Sequence, residues 1–175
     1  QLVKAHFDSA NNMTDRMAAL HLISHSDFGC RDAVLSAFYT DWKDDALVVD
    51  KWFAVQANSG RADAILQVKK LTNHSAFSLQ NPNRLRSLVS TFAMLNQAGF
   101  HTQEGAGYRF LSEMIVAVDA LNPQTAARLV APLGRWSRMP EKAGTQMKAG
   151  LDWILEQKSI SDDVRELCSK SLGSS

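Results

Sequence analysis

The chain has 175 residues, 45% hydrophobic and 21% charged, an ordinary globular composition that is neither disordered nor membrane-like. Its 19 basic and 18 acidic residues nearly cancel, so overall charge gives no reason to expect nucleic acid or another polyanion as a partner. Only Cys30 and Cys168 are present, far apart and in no paired motif, which excludes a disulfide framework or zinc knuckle and fits a reducing, cytoplasmic setting.

No apolar run approaches the roughly 18 residues needed to span a bilayer, so no membrane partner is expected. The start, Gln1-Leu2-Val3-Lys4-Ala5-His6, lacks signal-peptide architecture, and its missing initiator Met is read as the mark of a fragment. Length alone predicts one domain over residues 1–175.

In chain order, Thr14 or a neighbouring Asn can cap a helix whose stripe is Met17, Leu20, Leu22 and Ile23, ending near His25. A second apolar-periodic run covers Cys30 to Tyr39. Asp44-Asp45 then place negative charge at a helix start, followed by Leu47, Val48, Lys51, Trp52 and Val55 at helical spacing, until Asn58-Ser59-Gly60 stops the run. Ala62 to Leu71 reads as a shorter helix, and Thr72 to Pro82 as a polar connector. Asn83 is read as the cap of a run through Leu85, Leu88, Val89, Phe92 and Leu95.

After the Gly105-Ala106-Gly107 turn comes Tyr108 to Leu121, with Phe110, Leu111, Met114, Ile115 and Val118 on one broad face. Asn122 caps the next helix and Pro123 takes its first position, where a missing N–H costs nothing. Pro140 opens another helix reaching Leu155, and Ser161 a last one through Cys168. No strand or hairpin signal is present.

The helical segments come in pairs with a register of 41: Asn81-Pro82 recurs as Asn122-Pro123, and Leu47-Val48 recurs as Leu88-Val89 and again as Leu129-Val130. That period suits two- or three-helix solenoid units, each burying its apolar face on the next. The expected fold is therefore all-α, a superhelical solenoid of stacked antiparallel helix pairs, armadillo- or HEAT-like. The register fails at its next step, Lys170-Ser171.

Few groupings suggest chemistry. His21 and His25 share a helix face at the spacing of two zinc ligands, but Leu22 stands where a zinc hydrolase needs its general-base Glu. Gly105-Ala106-Gly107 precedes a helix without the strand or the Lys-Ser/Thr of a phosphate loop, and so reads as a tight turn. No serine sits in Gly-x-Ser-x-Gly. Trp42, Trp52, Trp136 and Trp153 are expected to fill gaps between helix pairs. The basic stretches Arg61 to Arg86 and Arg128 to Lys148 read as a solvated face or as a binding surface.

Several ordered motifs carry a resemblance. Asn11-Asn12-Met13-Thr14-Asp15-Arg16, Asp50-Lys51-Trp52-Phe53, Phe77-Ser78-Leu79-Gln80-Asn81-Pro82-Asn83-Arg84 with Arg86-Ser87-Leu88, and Gly105-Ala106-Gly107-Tyr108 together resemble the C-terminal domain of the bacterial aminopeptidase N family. The resemblance implies a large zinc enzyme that removes N-terminal amino acids from peptides. Its H-E-x-x-H helix, downstream Glu ligand and G-A-M-E-N motif lie outside this chain, so no metal or catalytic residue is expected here; the zinc belongs to a separate catalytic domain. The chain would then be a cap of helix pairs over that domain, inactive alone, its partners the catalytic domain of the same polypeptide and the peptide substrate. By the same resemblance, Arg86 and Arg128 face the substrate path, where a guanidinium can hold a peptide carbonyl or carboxylate; Arg84 is a weaker candidate. The residues alone allow equally a salt bridge or capping contact to a neighbouring loop. A free-standing helical-repeat interaction module and an independent hydrolase are the alternatives that the residues leave open.

Overall fold

The computed structural model describes residues 2–173; Gln1, Ser174 and Ser175 lie outside them. The described chain is helical, with no strand. Its elements are α1 (Leu2–Ser9), α2 (Met13–Ser24), α3 (Arg31–Trp42), α4 (Ala46–Ala57), α5 (Ala64–Leu71), α6 (Pro82–Leu85), a π segment (Arg86–Ser90) and α7 (Thr91–Leu95). There follow α8 (Gln97–Phe100), α9 (Ala106–Asp119), α10 (Pro123–Leu129), a 3-10 segment (Leu133–Arg138), α11 (Glu141–Leu155) and α12 (Asp162–Gly173). None of these helices is long and apolar enough to cross a membrane.

Side-chain caps set several of the starts. Asn12 Oδ1 accepts from Asp15 N–H at 2.9 Å, and Asp45 accepts from Leu47 and Val48 N–H at 3.0 and 3.1 Å. Asn81, not Asn83, caps the sixth helix, accepting from Asn83 and Arg84 N–H at 3.1 and 3.2 Å with Pro82 in the first turn. Asn122 with Pro123 repeats the device, accepting from Thr125 N–H at 2.9 Å. Neither α1 nor the 3-10 segment after Pro132 was among the helices expected from sequence. The run through Leu85 to Leu95 is one continuous helix as expected, but it starts at Pro82 and holds a π turn that was not expected.

Alternate helices stack in two rows. One row holds α2, α4, the Pro82–Leu95 helix, α10 and α12; the other holds α3, α5, α9 and α11, and α1 lies on α2. Each pair packs within itself and on the next, as in α3 on α4, α9 on α10 and α11 on α12. Between the rows runs one core in which Leu20, Phe38, Phe53, Leu88, Phe92, Leu111, Ile115 and Leu133 are fully buried. Each such side chain contributes about 1.5–3 kcal/mol relative to exposure. Trp52 joins it and donates to Leu35 C=O at 2.9 Å, and half-buried Trp136 donates to Ser171 C=O at 3.0 Å. Trp153 departs from the gap-filling expectation, lying 40% exposed.

Polar ties at the carboxyl ends of first-row helices join unit to unit. A helix leaves its last carbonyls without intrahelical partners, and here the next unit supplies them. Ser59 Oγ donates to Ser24 C=O at 2.8 Å, and Asn96 Nδ2 donates to Ala57 and Ser59 C=O at 2.9 and 2.8 Å. In the other row, at the end of α9, the Asp119 carboxylate accepts from Ser161 N–H at 2.8 Å and from its hydroxyl, tying α9 to the start of α12.

Candidate functional site

The two arginines singled out by sequence lie in the helices opened by Asn81 and Asn122. Arg84 comes first along the chain and is consumed by the fold. Its side chain is 8% exposed, its Nη1 meets Asp50 Oδ1 at 2.7 Å, and its guanidinium stacks 5.3 Å from the Phe53 ring centre. This pair ties the sixth helix to α4 and removes Arg84 from the residues free to meet a ligand.

Arg86, two residues on, is exposed, and its only described side-chain bond is local, from Nη2 to Asn83 Oδ1 at 2.9 Å. It opens the π segment: both the Thr91 N–H and the Thr91 hydroxyl, at 3.2 Å, reach back to the Arg86 carbonyl. The cause is visible in the burial pattern. Arg84 and Leu85, Leu88 and Val89, and Phe92 and Ala93 are all buried, a strict spacing of four residues. An α-helix with 3.6 residues per turn would rotate such a stripe off the core, and one wider turn restores it.

Arg128 is exposed in the last turn of α10, where positive charge suits the helix dipole, and it forms no hydrogen bond or ion pair with the described residues. Neither Arg86 nor Arg128 makes an ion pair to a neighbouring loop; Arg61 does so instead, joining Asp27 and Asp63. Arg86 and Arg128 occupy their own helices and do not share a described cleft.

The other candidates are structural. His25 Nδ1 accepts from Gly60 N–H at 3.2 Å, its ring centre is 4.2 Å from that of His21, and burial, then His21, lowers its pKa. Among the described residues no three His, Cys, Asp or Glu side chains gather where they could hold a metal ion. Gly105 has φ +64° at the start of α9, and a Cβ on Gly107 would lie 2.4 Å from the Phe100 carbonyl oxygen, which makes the motif a turn and a close helix approach. The buried Cys168 thiol is pushed up to about 11 by burial, with Asp119 adding to it, far from nucleophilic character.

Stacked helix pairs and unit-to-unit ties define an armadillo-type helical repeat domain. Residues 1–173 match the family described as a domain of unknown function (DUF3458_C) with ARM repeats, and the chain belongs to that family. It is 48% identical to aminopeptidase N of Caulobacter vibrioides over 168 residues, covering 96% of this chain and 20% of the relative. With aminopeptidase N of Escherichia coli it shares 41% identity over 171 residues, 98% of this chain and again 20% of the relative. The solved structure of Legionella pneumophila aminopeptidase A in complex with aspartic acid superposes with a TM-score of 0.93 at 32% identity, over 98% of this chain and 20% of that one. The chain thus spans about one fifth of the length of the relatives it matches, and the match falls on their C-terminal domain.

Proposed function

We propose that the chain is the non-catalytic C-terminal domain of a cytoplasmic zinc aminopeptidase, walling the chamber in which peptides meet the catalytic domain and holding them with Arg86 and Arg128. The observation that carries this reading is the contrast along one short helix: Arg84 is buried in an ion pair, while Arg86, and Arg128 in the next unit, present guanidiniums to solvent with no long-range partner. A guanidinium offers five N–H donors in a planar fork, suited to a peptide carbonyl or terminal carboxylate. The zinc and the residues that use it are assigned to the rest of the enzyme.

The test is kinetic. In the full-length enzyme, Arg86→Ala or Arg128→Ala is expected to lower kcat/KM for peptides of three or more residues by about tenfold, the worth of one charge-assisted contact, and to leave small chromogenic amides within about twofold. Equal effects on both substrate classes, or none on either, would remove the role assigned to these arginines.

A further inference from the structure

A cleft of about 380 Å³ lies between α9 and α11, at the lower end of the size range of small-molecule sites. Its depth is fixed by two contacts. At one point the helices nearly touch: a Cβ on Gly150 would lie 2.8 Å from Ser112 Oγ, which donates to Gly150 C=O at 3.3 Å. At the mouth Gln146 Nε2 donates to Gln103 C=O at 3.1 Å, tying α11 to the loop before α9.

The walls are chemically divided. Trp153 supplies an exposed indole. Arg109 and Glu113 supply opposite charges four residues apart on α9, the spacing at which such side chains usually pair. Here they do not. Arg109 Nη1 is drawn back to Glu104 C=O at 2.8 Å, toward the helix start as side chains tilt, and Glu113 forms no hydrogen bond or ion pair with the described residues. Cation-before-anion is also the weaker order for a helical pair.

We infer that this cleft binds a free α-amino acid with an apolar side chain. The ligand carboxylate meets Arg109, its ammonium meets Glu113, and its side chain lies on Trp153. The geometry selects this class. Arg109 and Glu113 leave α9 one turn apart and line the same cleft, so a ligand that meets both at once carries its own charges close together, as the carboxylate and ammonium on one carbon do. A peptide, with its charges at opposite ends of the chain, meets one of the two charges at a time. The inference stands independently of the role proposed for Arg86 and Arg128.

The test uses the 175-residue chain, which has a core of its own and lacks the catalytic domain in which an amino acid would also bind. L-Phenylalanine is titrated while the indole N–H resonance of Trp153 is followed by NMR, the signal assigned by its absence in Trp153→Phe. Saturable shifts are expected with a Kd of about 1 mM, typical for a ligand of this size. N-acetyl-L-phenylalanine and L-phenylalaninamide, each lacking one charge, are expected to bind about tenfold or more weakly. Glu113→Gln should weaken L-phenylalanine but leave the acetylated ligand unchanged, and Arg109→Gln should do the same with respect to the amide. Both positions are exposed, so the fold tolerates either change. No saturable shift, equal binding of the capped ligands, or indifference to both substitutions would overturn the inference.

Discussion

The helices that begin at Asn81-Pro82 and at Asn122-Pro123 are capped alike, yet the first continues through a π turn to Leu95 while the second stops at Leu129 and gives way to a 3-10 segment at Leu133. The shared start is local chemistry, an Asn side chain accepting from the first turn and a Pro that needs no partner. Beyond the first turn, tertiary contacts set the course of each helix. The residue 41 places after Arg84 is Thr125, and 41 after Asp50 is Thr91, so the buried ion pair of the first unit has no counterpart in the second. Direct register also sets Arg86 against Ala127, which is buried. In the first helix Arg86 and Ser87 lie between the buried pairs Arg84-Leu85 and Leu88-Val89; in the second, Arg128 alone lies between Ala126-Ala127 and Leu129-Val130. Ser87, not Arg86, stands in direct register with Arg128, so the 41-residue repeat does not make the two arginines equivalent.

The largest way to break the comparison is at Arg84. Arg84→Ala leaves the Asp50 carboxylate, 17% exposed, without its cation, and breaking such a pair from one side costs about 3–5 kcal/mol. Arg128→Ala, on the exposed face of the other helix, is expected to change stability by no more than about 0.5 kcal/mol. Urea unfolding of the two variants side by side measures the difference. The double change Arg84→Met with Asp50→Leu should recover much of the loss, because both charges leave together. A cost for Arg84→Ala no larger than that for Arg128→Ala would mean that the ion pair does not hold the first helix to α4.

How much of this was legible in the residues divides along the same line. Caps with a local signature, Asp45 and Asn122-Pro123, are evident in the sequence because donor and acceptor are two or three residues apart. Asn83 drew the cap assignment away from Asn81 because both are good cap residues, and only the position of Pro82 in the first turn separates them. The two-row fold was foreshadowed by paired amphipathic runs, and the resemblance to aminopeptidase N agrees with the relatives found. The π turn had no such signal: Leu85, Leu88, Val89, Phe92 and Ala93 fall at ordinary helical spacing, and the four-residue repeat of buried pairs emerges only once Arg84 is buried. The burial of Arg84 and the cleft beside Trp153 had none, since both depend on which helix arrives from tens of residues away. Trp153 departs from expectation for the same reason: size favours burial, but α11 turns this residue outward.

A smaller test asks whether the two starts are energetically the same device. Asn81→Ala and Asn122→Ala are each expected to cost about 1 kcal/mol, and Asp at either place should restore it. Both would be read as shifts in the urea midpoint at constant slope. Matching costs support a shared local code. A much larger cost at Asn81 would show that its cap is coupled to the Arg84–Asp50 pair formed from the same turn.

The smallest expected effect is acid sensitivity, and it too separates the units. His74 packs edge-on against Tyr39 and Phe53, its Nδ1 accepts from Ala76 N–H at 3.1 Å, and burial, then the nearby Arg84 charge, lowers its pKa below the ordinary 6.5. The residue 41 places on is Ile115, which cannot titrate. His25 and His101 are lowered by burial as well. Between the depressed folded value and 6.5 the unfolded chain binds more protons than the folded one, so this contribution to stability is complete above pH 6.5 and is lost as pH falls through the window. Urea midpoints should therefore decline from pH 7 toward pH 5. His74→Asn, which keeps an acceptor for Ala76 N–H but carries no titrating ring, should flatten part of that decline. If the decline is unchanged in the variant, the acid sensitivity belongs to His25 and His101, and the unit that holds Arg84 and Arg86 is distinguished by its ion pair alone.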